Sequence, residues 1–116
     1  MAVVSSHTLN GVDGTHAGQI PVRLIHVGSQ KVIFDAEMDD GGRLMQTIDP
    51  ERIDQNASYE LVFETASYWE KHALPRKGAQ IVDQVVIRFS MPDPDGRYHI
   101  PVIINPNSYS VWWSGE

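Results

Sequence analysis

Two histidines and one arginine carry the most chemistry in this chain: His7 in "VSSHTLN", Arg43 at the end of "DDGGR" and His99 in "RYHIPV". An imidazole titrates close to neutral pH, so it can take a proton from water and return it to a leaving group. A guanidinium presents a planar fork of donors suited to a carbonyl oxygen on which charge develops. Strand alternation puts His7 on one face with Val3 and Ser5. It puts His99 with Pro101, Ile103 and Asn105, opposite the apolar set Tyr98, Ile100, Val102 and Ile104. Arg43 follows two glycines at a loop end, where a scaffold can aim a side chain outward. Periodicity alone does not bring these three positions together. Taken singly, each of the five histidines (His7, His16, His26, His72 and His99) reads more readily as a structural or surface residue. None has an H-E-x-x-H or similar metal-ligand spacing. The absence of cysteine removes disulfides, thiolate metal sites and a thiol nucleophile. No metal and no other cofactor is expected.

The elements that must position these residues are short strands. With 116 residues, 41% of them hydrophobic and 21% charged, the chain has the length and make-up of one domain, 1–116. "AVVSSHTL" (2–9), "IPVRLIHV" (20–27), "KVIFDAEM" (31–38), "ASYELVFETA" (57–66), "AQIVDQVVIRFSM" (79–91) and "RYHIPVIIN" (97–105) all read as β-segments. Between them lie turn signals at "GSQ", "DDGG" and "DPDG". One short helix is expected at "DPERIDQN", with Asp49 as N-cap and Pro50 in the first turn. The spacing points to an all-β sandwich of seven or eight strands with that one helix. A net charge of −6 argues against a nucleic-acid partner, which needs a basic stripe. No apolar run is long enough for a membrane helix and no membrane partner is expected. The opening "MAVVSSHTLN" lacks a secretory pattern, so a cytoplasmic location is the default expectation.

Taken together, "VSSHTLN", "GGR" and "YHIPVIINPNSYS" are similar, in order and spacing, to the 5-hydroxyisourate hydrolases, the enzyme branch of the transthyretin-like fold. The resemblance runs over roughly residues 3–113. It implies a transthyretin-like β-sandwich and a homotetramer with sites at the dimer–dimer interface. In that cleft, residues matching His7, Arg43 and His99 are catalytic. They open the ring of 5-hydroxyisourate to give 2-oxo-4-hydroxy-4-carboxy-5-ureidoimidazoline in urate catabolism, with His7 and His99 activating water and Arg43 holding substrate oxygens. The sequence leaves the family pattern at its tail. Where the family finishes Y-R-G-S, this chain has Trp112, Trp113, Ser114 and Gly115. The resemblance makes Trp112, Trp113 and Ser114 candidates for substrate contact, with packing against a partner subunit as the other role for the two indoles. Asn10 stands where the family carries an aspartate, and Arg97 where it often has histidine. A hydrolase of another cyclic amide or heterocycle, and a non-catalytic small-molecule binder like transthyretin itself, are the alternatives. The carriers lack the His, Arg and His set.

Overall fold

A computed structural model describes residues 1–72 and 75–115; Glu116, the end of the tail, lies outside them. Among the described residues nine strands form two sheets. β1 (Ala2–Asn10), β4 (Arg43–Ile48), β7 (Arg97–His99), β8 (Val102–Asn105) and β9 (Ser108–Val111) make the first. β2 (Pro21–His26), β3 (Lys31–Glu37), β5 (Tyr59–Phe63) and β6 (Val85–Phe89) make the second, in the order β3-β2-β5-β6. The core lies between them. Val4 from β1, Val22 and Leu24 from β2, Tyr59, Leu61 and Phe63 from β5, and Ile100, Val102 and Ile104 from the last segment are all buried there.

The alternation expected from the sequence holds on the site-bearing strands. In β1 the even-numbered residues Ala2 to Asn10 are buried and the odd-numbered ones between them are half-buried on the outer face. Three inward positions are polar, and two have partners. The Ser6 hydroxyl donates to the Ile100 carbonyl (2.5 Å), and Asn10 Nδ2 donates to the Tyr68 hydroxyl (3.1 Å). Asn10 therefore faces the core and not His7, so the aspartate-to-asparagine difference does not alter the charge on the histidine face.

Four expectations are corrected in detail. The segment 97–105 is not one strand. It pairs in parallel with β1 as β7 and again as β8, in one constant register, and breaks between them. Proline has no N–H for the ladder, and Pro101 sits at that break. Counting β7 and β8 as one strand leaves eight. Pro101 is buried, although alternation puts it with His99 on the face opposite the apolar set. "AQIVDQVVIRFSM" is a strand only over Val85–Phe89. Ahead of it, main-chain groups bond to side chains: Asn107 Oδ1 accepts from Ile81 N (2.8 Å) and Val82 N (3.1 Å), and Gln80 Nε2 donates to the Val82 and Pro106 carbonyls. "DPERIDQN" is capped as expected, with Asp49 Oδ1 accepting from Glu51 N at 3.0 Å, yet makes only a 3-10 turn, Pro50–Arg52. That turn buries none of its residues, so nothing extends it. The α-helix, α1, is Ala66–Lys71, and it is held by burial of Tyr68 and Trp69. No helix among the described residues is long and apolar enough to cross a membrane.

Candidate active site

β1 organises the site because it is paired on both sides. Its antiparallel register with β4 sets His7 directly across from Arg43. Its parallel register with β7 sets Ser5 beside His99. His7, Ser5 and His99 all lie on the outer, half-buried face of this sheet. The Ser5 hydroxyl and His99 Nδ1 are 2.9 Å apart, which fixes the ring and, among the described residues, leaves Nε2 unengaged. Arg43 and His99 border one concavity of about 280 Å³, together with Ser5, Ser6, Asp39 and Met45.

The turn before β4 aims Arg43. Asp39 Oδ1 accepts from the main-chain N–H groups of Gly41 and Arg43, both at 2.9 Å, and Asp39 N donates to the Arg43 carbonyl at 2.9 Å. Gly42 takes φ +72° and its carbonyl accepts from Thr8 N at 2.7 Å. A Cβ there would stand 2.6 Å from the Thr8 carbonyl oxygen, so only glycine fits against β1.

A residue outside the expected set completes the group. The loop after β1 folds back so that His16 bridges antiparallel to Leu9, which carries the His16 ring to the outer face. His7 Nε2 and His16 Nδ1 are 2.8 Å apart. Partial burial, the Arg43 guanidinium and the neighbouring His16 hold the His7 imidazole below its usual 6.5. The Gly41 carbonyl opposes that, and His99 adds a further push downward. The guanidinium and the His99 ring therefore both bear on His7. Ser5 had a legible signal, being two residues before His7 on the same strand face. His16 had none, since a loop brings it there.

The tail divides. Trp112 N donates to the Pro101 carbonyl (3.4 Å) and Ser114 N to the His99 carbonyl (2.8 Å), which extends the β8–β9 register past Val111. In that register Ser114 opposes His99 and Trp112 opposes Pro101, on the histidine side of the sheet. Trp113 goes the other way. It borders a separate, mostly apolar cavity of about 350 Å³ with Ile87, Phe89, Tyr98 and Ile100. Among the described residues no group of three or more His, Cys, Asp or Glu side chains is gathered closely enough to hold a metal ion. What the arrangement offers is a neutral imidazole, a fixed second imidazole and a cation on one sheet face, the components for adding water to an amide.

Known proteins are similar to this chain in fold and in sequence. The chain is 28% identical to the 5-hydroxyisourate hydrolase of Pseudomonas aeruginosa over 97% of its own length and 90% of that protein's. It is 27% identical to the one of Deinococcus radiodurans, over 94% and 92%. It superposes on the structure of Klebsiella pneumoniae 5-hydroxyisourate hydrolase with a TM-score of 0.78 at 20% identity, covering 99% of this chain and all of that one. The structure of (S)-allantoin synthase matches with a TM-score of 0.77 at 20% identity, and there the chain spans 44% of the longer protein. The model of the HIUase/Transthyretin family matches residues 4–113, and the chain belongs to that family.

Proposed function

We propose that this protein hydrolyses 5-hydroxyisourate to 2-oxo-4-hydroxy-4-carboxy-5-ureidoimidazoline, with His7, Arg43 and His99 as the catalytic residues. One observation carries the reading: the registers of β1 with β4 and with β7 gather His7, Arg43 and His99 on one sheet face, where Arg43 and His99 share a concavity. We assign the His99 tautomer with Nδ1–H donating to the Ser5 hydroxyl, which leaves the Nε2 lone pair to take a proton from water. The resulting hydroxide adds to the ring carbonyl. Arg43 donates to the oxygen as it becomes negative. When the carbonyl re-forms, the C–N bond breaks and the departing nitrogen takes the proton back from the His99 imidazolium. His7, kept neutral by its surroundings, adds no second positive charge beside Arg43, which leaves the guanidinium to the substrate oxygen. Trp112 and Ser114, opposite Pro101 and His99 in the continued register, are assigned to substrate contact.

Self-association belongs to the same proposal. β9 and β6 are edge strands of their sheets among the described residues, and unpaired strand edges invite further pairing. Tyr109, Trp112 and Trp113 are exposed along that side. A homotetramer that closes the site between dimers covers them, and sedimentation reads its mass. The catalytic proposal is tested by generating 5-hydroxyisourate from urate with urate oxidase and following its ultraviolet decay. Decay faster than the spontaneous rate, abolished in His99→Ala, is the expected result. Binding without acceleration would favour a carrier, and neither would favour another heterocycle, the reading to which the changed tail lends weight.

A further inference from the structure

We propose that His16 is a positioning residue for this reaction: hydrogen-bonded to His7, it sets the tautomer of that ring and carries, at its own end of the pair, any extra proton the pair takes up. The inference rests on the hydrolase reading for its consequence in the rate, and on geometry alone for the pairing itself.

Two ring nitrogens 2.8 Å apart must share one hydrogen. Two lone pairs at that distance repel, and two N–H groups collide. The tautomers of the two rings are thus linked. With the Gly41 carbonyl favouring an N–H on His7, the consistent arrangement has His16 Nδ1–H donating to His7 Nε2. The rings also lie nearly parallel, at 25° with centroids 4.9 Å apart, so neither turns away without breaking the contact.

The charges around the pair are unequal. His7 faces Arg43 from β4 and His99 from β7, and Asp39 lines the concavity that those two border. His16 opens on the other side into a second concavity, lined by Gln19, Asp40 and His72. Asp13, in the same loop as His16, interacts with His72. A proton placed on His7 adds a second cation beside Arg43. Placed on His16, it lies farther from Arg43, on the side of the Asp40 carboxylate and in contact with solvent. The pair therefore takes up its proton at the His16 end, and His7 stays neutral where an isolated imidazole would already be half charged.

The fold shows why no spacing rule finds this residue. His16 reaches His7 only because the loop after β1 returns, with Asn10 N donating to the Thr15 carbonyl (2.8 Å) and Ala17 N to the Thr8 carbonyl (2.9 Å). These bonds are main-chain, so substituting the ring leaves the return intact.

The test compares the parent with His16→Ala and His16→Asn, since asparagine can offer a donor at a similar reach from the backbone. Nitrogen-15 spectra of the imidazoles, recorded without substrate across pH 5–8, report tautomer and titration of His7 directly. In His16→Ala the His7 tautomer preference is expected to be lost and its titration to move upward. The acid limb of kcat is expected to follow it upward, with kcat reduced by about two- to tenfold, the worth of one orienting hydrogen bond, and KM little changed. His16→Asn is expected to recover the tautomer and most of the rate near pH 8. An unchanged His7 spectrum in His16→Ala overturns the pairing, and a changed spectrum with a parental rate profile overturns its role in the reaction. If the parent itself fails to accelerate 5-hydroxyisourate decay, the hydrolase reading falls alone, and the ring spectra still decide the pairing.

Discussion

Replacing Ser5 by alanine removes one oxygen, and the structure says what that oxygen does. It lies 2.9 Å from His99 Nδ1, and among the described residues no other group engages that nitrogen. A net intramolecular hydrogen bond is worth about 1 kcal/mol, roughly a fivefold preference for the oriented ring at room temperature. Without it the imidazole divides its time between tautomers and ring orientations, and only a fraction keep a bare Nε2 toward the concavity. The expected loss is about three- to tenfold in kcat, with KM near the parental value, because binding of the heterocycle does not pass through that hydroxyl. Stability should fall by about 1 kcal/mol or less, since the Ser5 main chain keeps its bond from Ile100 N (2.8 Å) and its place opposite Met45. Initial rates of 5-hydroxyisourate decay at saturating substrate, corrected for spontaneous loss, measure the effect, and urea unfolding checks the fold. Ser5→Thr keeps a hydroxyl on a β-branched residue suited to the strand, and should return most of the rate. A parental kcat in Ser5→Ala, or a Thr variant as slow as the Ala one, would refute the reasoning.

Arg43→Gln should lower kcat/KM by about 10²- to 10³-fold, the scale of removing one oxyanion donor. Because the guanidinium also holds His7 below its usual range, the His7 ring protons should titrate at higher pH in this variant. Gly42→Ala forces a side chain into φ +72° with its Cβ 2.6 Å from the Thr8 carbonyl oxygen, and should lower the urea midpoint by about 2–4 kcal/mol worth of stability at unchanged m. The lowered His7 titration has a consequence for stability too. Below its ordinary 6.5 the unfolded chain binds this proton more readily than the folded one. Stability from this group is thus present above 6.5 and is lost as pH falls through the folded value. His7→Gln should flatten that part of the stability–pH curve, and a slope identical to the parent's would show that the ring titrates alike in both states.

How much of this was legible beforehand follows from which forces act locally. The faces of β1 and of the 97–105 segment could be read because alternation is a property of the chain itself: Ala2, Val4, Tyr98, Ile100, Val102 and Ile104 are buried as their spacing requires. The break at Pro101 has a visible cause, a residue with no N–H for the ladder, but its consequence of two strands shows only in the pairing. The pairing of His7 with Arg43 and of Ser5 with His99 was not legible without a family resemblance, because register between strands is settled by tertiary packing of all the buried faces at once. The helix was misplaced for a related reason. Asp49 and Pro50 supply good start signals, but Pro50–Arg52 has no buried residue to hold a longer helix. Ala66–Lys71 has weak signals and two large aromatic anchors, Tyr68 and Trp69. Trp112 and Trp113 looked equivalent in sequence, and the continued β9 register sends them to opposite sides.

The central claim is that the two imidazoles at 7 and 99 serve one chemical event in one place. A double-variant cycle on 5-hydroxyisourate decay tests it most directly: His7→Ala, His99→Ala and both together, with folding verified for each. Residues that act as a unit lose little more jointly than the worse of them loses singly, so the combined variant should be about as slow as the slower single one. A parental rate in either single variant, or two losses that simply multiply, would contradict the account.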